Sequence, residues 1–391
     1  MNHAVDGSFS YDNDQPTKNH QEAKINARLQ DNGGTFLSVP QASVTFDQPK
    51  YKVEFGRFPL DWAPLDDIWG TGIINNRQNF NLIHPDVEGL FGVNFKLHVL
   101  GSFIIEGFGS FLYLPELNPA ITEKNKKLST KSQWAELPPT ATYIENGGTK
   151  FPINYTLNKP NLDDFIFKPS YGLGFGLESE HWIGKGYYLR KPENTFRVQA
   201  TVSTNSALSA IDAQIYPELY NENIFTGHLG YRHDHHHFDF MLMTVVPEST
   251  PQSSTLVRRY LTIETRKERE EYMMAGFSRN KQEFNWGVYY LHLYSGSPEG
   301  NGTLGNKPRW SRAVKAFLDV ELVQGARFYI DTTYDVARND TVLDSKVSYL
   351  FVDSGILAAA GIQAISAPKD NSYWASFRAN DTFYFQLGHV F

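Results

Sequence analysis

The densest group of chemically able residues lies between Pro59 and Asp86. It runs Asp61-Trp62, then Asp66-Asp67-Ile68-Trp69-Gly70-Thr71-Gly72, then Asn75-Asn76-Arg77-Gln78-Asn79. Carboxylates, amides and a guanidinium can hold a polar solute by charge and hydrogen bonds, and indole faces can stack on sugar rings. The plain alternative for Trp62, Ile68, Trp69, Ile73 and Ile74 is packing against a wall. A second group, His233-Asp234-His235-His236-His237, has the residue types of a metal site. Neighbouring histidines on a turn point in diverging directions, so it reads as an exposed polar turn on an extracellular hairpin; no metal and no cofactor are assigned. A third set is charged and falls on one face of runs that alternate with period two: Lys96, Arg258, Glu264, Lys315, Asp319, Arg327 and Asp331 lead it. Lys24, Arg28, Lys52, Glu54, Arg197, Asp212, Glu321 and Asp335 extend it. Opposed rows of acid and base create a transverse field that sorts polar solutes by charge and size.

Signs of enzymatic chemistry are few. The chain has no cysteine, which removes thiolate nucleophiles, thiolate metal sites and disulfides. No nucleophile elbow, phosphate loop, dinucleotide fingerprint or HExxH occurs. Gly172, Gly174 and Gly176 instead alternate along one run, as expected where side chains would clash with a loop packed on that face. His98, His181 and His228 remain as histidines without an evident partner.

These residues need elements to carry them. Aromatics make up 14% of the 391 residues, with 28 Phe, 21 Tyr and 7 Trp, yet charged residues are 20% and mean hydropathy is −0.42. Apolar and polar residues must therefore be interleaved. The net charge of −7 lacks the basic face of a nucleic-acid binder. No stretch approaches the roughly 18 apolar residues of a membrane-spanning helix; the best, Gly355 to Pro368, contains Gln363. Period two is the dominant signal. Phe328, Ile330, Thr332, Tyr334 and Val336 oppose Arg327, Asp331 and Asp335. Val314, Ala316, Leu318, Val320 and Leu322 oppose Lys315, Asp319 and Glu321. Phe91, Val93, Phe95 and Leu97 oppose Asn94, Lys96 and His98. Around Val257 to Arg266 the pattern holds except at Arg259.

Connections alternate too. Tight turns at Leu100-Gly101, Asn280-Lys281, Gln324-Gly325 and Ser354-Gly355 are separated by long stretches at Pro59–Asp86, Leu117–Pro169, Gly296–Pro308 and Ala367–Asn380. A membrane barrel is built this way, with tight periplasmic turns and long extracellular loops. The reading is an all-β, closed antiparallel transmembrane barrel of about 18 strands, within a range of 14–18, with one loop, Pro59 to Asp86, folded into the lumen. Residues 20–391 form the barrel and 1–19 a periplasmic or lumenal tail. The first residues carry no basic-then-apolar leader, so they read as a mature start after a removed signal peptide. Tyr113, Trp182, Tyr187, Tyr188, Trp286, Tyr294, Trp310 and Trp374 fall near strand ends, where rings sit at membrane interfaces.

The chain ends Phe383-Tyr384-Phe385-Gln386-Leu387-Gly388-His389-Val390-Phe391. A terminal Phe, with Leu387, Phe385 and Phe383 recurring before it, resembles the closing strand of Gram-negative outer-membrane proteins; His389 stands where they usually carry an apolar residue. The resemblance covers this strand and the general layout of strands and loops. It implies an outer-membrane barrel, porin-like or a transporter, delivered by the barrel assembly machinery through that strand. It sits in lipid and lipopolysaccharide, which Lys124, Lys126, Lys127 and Lys131 could meet, and passes small hydrophilic solutes without being an enzyme. A homo-oligomer is compatible with it. So is a plugged barrel acting as adhesin, assembly or secretion partner, or lipid-acting enzyme.

Overall fold

The computed structural model describes residues 4–12, 19–30, 34–143, 150–204, 209–248, 256–257, 260–264, 267–296, 307–352, 354–370 and 372–389. Seventeen strands share one sheet. In chain order they are β1 (Ala4–Asp12), β2 (Asn19–Gln30), β3 (Gly34–Gln48), β4 (Tyr51–Phe58), β5 (Leu90–Leu100) and β6 (Phe103–Ser110). Then come β7 (Ser170–Glu178), β8 (Trp182–Pro192), β9 (Asn221–His233), β10 (His236–Pro247), β11 (Glu270–Lys281) and β12 (Phe284–Ser295). The last are β13 (Arg312–Val323), β14 (Ala326–Asp335), β15 (Asp340–Phe351), β16 (Ile356–Ser366) and β17 (Thr382–His389). Each pairs antiparallel with the one before it. The stretch expected as a tail thus supplies a wall strand, Ala4–Asp12, and the start of the next. Phe391 lies outside the described residues.

The sheet curls into a barrel, and the segment inside it shows this. Side chains or backbone of residues 59–89 touch β2 (Lys24–Asp86, 3.5 Å), β3 (Ser38 to Glu88, 2.6 Å), β6 (Trp62 to Glu106, 3.0 Å) and β9 (Thr226 to Trp62 O, 3.3 Å). They also touch β13 (Lys315 to Ile68 O, 3.2 Å), β15 (His84–Asp344, 2.9 Å) and β16 (Asn81 to Gln363, 3.4 Å). One short segment can reach strands from both ends of a sheet only if the sheet wraps around it.

Alternation sets the two faces. On β7, Tyr171, Leu173, Phe175 and Leu177 are exposed, whereas Gly172, Gly174 and Gly176 point inward. The same outward apolar rows run through Phe225 and Leu229, Leu242, Val288, and Phe383, Phe385 and Leu387, the last three more than 80% exposed. Such a surface is costly in water and suited to acyl chains. No helix of the described residues is long enough to cross a membrane. With tight turns at one rim, between Gln48 and Tyr51, Leu100 and Phe103, His233 and His236, Lys281 and Phe284, and Val323 and Ala326, and most long connections at the other, the chain is a β-barrel of the outer-membrane type.

Three long connections build a second layer. A six-stranded sheet, in the order Ala141–Tyr143, Lys150–Leu157, Ile211–Glu218, Arg197–Thr204, Tyr260–Glu264, Leu256–Val257, caps the long-loop rim around Tyr155, Ala200, Ala213 and Ile215. Arg197, Asp212 and Glu264, expected on the lumen wall, belong to this cap. Period two reports a sheet with unlike faces and does not say which sheet. Four of the expected interface aromatics also move inward: Tyr113, Tyr187, Trp310 and Trp374 are buried, while Trp182 and Tyr294 stay exposed.

Candidate functional site

The inserted segment is held by its own side chains first. Pro64 starts a short helix, α1 (Pro64–Trp69), and Gly70 ends it in the left-handed conformation at φ 58°. The Asp66 carboxylate accepts from the backbone N–H groups of Ile73 and Ile74, both at 3.0 Å, and from the Thr71 hydroxyl. Asn75 closes the loop by bonding Leu60 N at 2.8 Å and Leu60 O at 3.0 Å. Asn76 donates to Leu114 O. Asp66 and Asn75 are therefore consumed by the loop itself, and the Asn76 amide N–H ties it to the β6–β7 connection.

The ring faces of the two indoles are consumed as well. Trp62, 1% exposed, stacks on Tyr187 with centroids 4.7 Å apart and donates to Glu106. The wall makes room for it at Gly172, where a Cβ would stand 2.5 Å from the Trp62 ring. Trp69, 2% exposed, packs edge-on against Trp310, whose Nε1 donates to Trp69 O at 3.1 Å. Neither ring has a free face for a sugar.

What stays open is a cavity of about 150 Å³ lined by Asp67, Trp69, Arg77, His84, Arg309, Lys315, Asp331 and Asp344, among others. Arg77 pairs with Asp67 at 2.6 Å and Lys315 with Asp331 at 2.8 Å, while His84 meets Asp344 at 2.9 Å. Asp331 and Asp344 are direct neighbours across the β14–β15 ladder. Like charges so placed repel; the Lys315 ammonium offsets this at Asp331, while the His84 ring stands within hydrogen-bond reach of Asp344. Burial, reinforced by Asp66 and opposed by Arg77, pushes the Asp67 carboxyl up to about 6. Arg309 donates to the carbonyls of Gly70 and Leu82, lies over the Trp374 ring at 5.1 Å, and is lowered by burial to about 10, so it stays charged near neutrality. Among the described residues, three of the buried N–H groups without an acceptor, Trp69 Nε1, Arg77 Nε and Arg309 Nε, belong to residues that line this cavity; others, such as Arg279 Nε and Trp374 Nε1, lie elsewhere.

The remaining expected residues are spread out. Lys96 bridges Glu178 at 3.3 Å and Glu106 at 3.7 Å on the wall nearer the tight turns. Asp319 and Arg327 pair with each other at 3.0 Å, close to the β13–β14 turn. Glu264 lies in the cap and Arg258 outside the described residues. Sequence reasoning missed Arg309, His84 and Asp344: Arg309 sits beside Trp310 in a connection without periodicity, and His84 in a loop read for its indoles. Asp344 was legible in principle as a charge within an alternating strand.

Above the cavity, a buried ionic group ties the long connections together. Glu222 sits between Lys191 at 3.2 Å and Lys267 at 2.8 Å, and Arg197 pairs with Glu193. The Asn194 amide reaches Gly72 O, linking this group to the inserted segment. Burial pushes Glu116, whose backbone N–H bonds Asn194 O, up to about 7. Of the three histidines that had no evident partner in the sequence, His228 pairs with Asp239 at 2.9 Å and His181 meets Arg232 O; among the described residues none bonds a serine hydroxyl, as a lipid-hydrolysing pair would need.

No family model matches the sequence, and no curated protein matches it. Solved structures resemble it in outline. Acinetobacter baumannii OccAB4 has 7% identity and a TM-score of 0.45, over 99% of this chain and 91% of that one. Pseudomonas aeruginosa OccK5 (OpdH) gives 8% and 0.44 over 94% and 88%. A loop-deletion mutant of OmpT, an outer membrane protein of Vibrio cholerae, gives 10% and 0.39 over 95% and 93%. Likeness of this order does not bear on what the barrel does.

Proposed function

We propose that the protein is an outer-membrane channel for small hydrophilic solutes, with a constriction formed by residues 59–89 against β13–β15 and a preference for solutes bearing an anionic group. One observation carries this reading: buried N–H donors of Trp69, Arg77 and Arg309, lacking acceptors, border a charged cavity inside the barrel. Leaving such donors unsatisfied costs on the order of 1–3 kcal/mol each, more for charged groups, and an entering carboxylate or phosphate oxygen would relieve it. The acids opposite, Asp331 and Asp344, keep the cavity from holding an anion too tightly to release it.

Planar-bilayer recordings test the proposal. Discrete open steps with a reversal potential on the anion side support it, and Arg309→Ala should shift that potential toward cations. A silent protein shown to be inserted would sink it and favour the plugged barrel. That second reading draws on the apolar block of Trp69, Trp310, Trp374 and Phe377, which fills part of the lumen.

A further inference from the structure

The histidine run takes no part in the channel reading and lies at the other rim. The β9–β10 turn that carries it belongs with the tight turns, on the periplasmic side by the rule that long loops face outward, which corrects the extracellular placement expected from sequence. Strand pairing sets it beside the β7–β8 turn: Trp182 is the ladder partner of Tyr231, and Arg232 N donates to His181 O at 2.8 Å.

Two imidazoles from different turns then lie edge to face. His181 and His233 have ring centroids 5.5 Å apart at an interplanar angle of 75°. Two imidazoles bound to one ion through nitrogens about 2.1 Å away, at a tetrahedral angle, would place their centroids about 5 Å apart. His181 Nδ1 stands 3.2 Å from Arg232 O. A carbonyl only accepts, so Nδ1 carries the proton and Nε2 presents its lone pair, the arrangement that fixes ligating histidines.

Asp234 supplies a third donor. Its backbone is left-handed at φ 51°, and its Oδ2 lies 3.6 Å from His233 Nε2. That is too long for a hydrogen bond and close to the roughly 3.4 Å between two ligands of one tetrahedral ion. His236, opposite His233 in the ladder, is instead stacked on Phe277 at 5.7 Å. Among the described residues no three such groups enclose a common point, but His181, His233 and Asp234 are all exposed, so closing on an ion needs only side-chain rotation about surface positions.

We propose that His181, His233 and Asp234 form a surface site for a divalent transition ion of the zinc class, stapling the β7–β8 and β9–β10 turns together. Two imidazoles and one carboxylate favour zinc, nickel or copper(II) over calcium or magnesium, which take oxygen ligands. The site is independent of the lumen.

Calorimetric titration of the detergent-solubilised full chain with zinc sulfate alone tests it. A saturable isotherm is expected, weakened about tenfold or more by His181→Ala and again by His233→Ala, but not by His235→Ala, with calcium giving none. Heat-dependent gel migration identifies the folded variants, and Asp234→Asn serves as a further probe should either alanine variant fail to fold. Undiminished binding in folded His181→Ala would show that the run alone holds the ion and would overturn the two-turn site. Loss of binding in His235→Ala would overturn it too, as would absence of heat with wild-type protein.

Discussion

At the scale of single residues, Asp67 is a cavity carboxyl held well above its ordinary range. Its folded value of about 6 lies above the ordinary 3.8, so the folded protein holds this proton more tightly than the unfolded chain does. This group therefore favours folding more as pH falls through 6, and that contribution is lost as pH rises above it. Protonation also removes one negative charge from the cavity. Anion preference in reversal-potential measurements should rise between pH 7 and pH 5, and Asp67→Asn should flatten that step; an unchanged step in the variant would assign it elsewhere. Gly172 offers a steric counterpart. Its missing side chain is where the Trp62 ring lies, so Gly172→Ala should destabilise the folded barrel by about 1–3 kcal/mol, as overpacking does, read as a lower urea midpoint for refolding into lipid. The sequence made this glycine legible through the spacing 172, 174, 176, but not its partner, because a contact between residues more than a hundred apart leaves no local pattern.

Elements show the reverse balance. Alternation identified strands wherever a sheet separates two environments, and the inserted segment stood out because indoles and isoleucines seldom belong in an exposed loop. Alternation could not tell wall from cap: residues 197–204, 211–218 and 260–264 pair in a sheet of their own, around Ala200 and Ile215. Amides and indoles of the inserted segment looked available for solute, yet Asn75 and Trp62 are spent on holding it, and the Trp69 ring is packed away with only its N–H left without an acceptor. The chemistry falls instead to Asp67 and Arg77 with residues of distant strands. Removing Thr71 to Gln78 deletes Arg77 and the Gly72 carbonyl that anchors the segment to Asn194. Single-channel conductance should then increase; unchanged conductance would show that the segment does not constrict the path.

For the whole molecule, the two faces of the wall make a spectroscopic prediction. Of the seven tryptophans, Trp62, Trp69, Trp134, Trp310 and Trp374 are buried in the interior or under the cap, whereas Trp182 is exposed and Trp286 shares the outward face of β12 with Val288. Brominated lipids should quench only these two, and Trp182→Phe with Trp286→Phe should abolish the effect. Quenching of the remaining five would invert the assignment of faces. The inserted segment has a mechanical meaning as well. It is fastened to β2 and β3 on one side and to β9, β13, β15 and β16 around the rest. It is an axle with spokes rather than a stopper on a hinge. A hollow hoop flattens under lateral load, but a spoked wheel of close-packed side chains has low compressibility. Membrane tension and changes of bilayer thickness should therefore leave the lumen's cross-section, and the current through it, nearly constant.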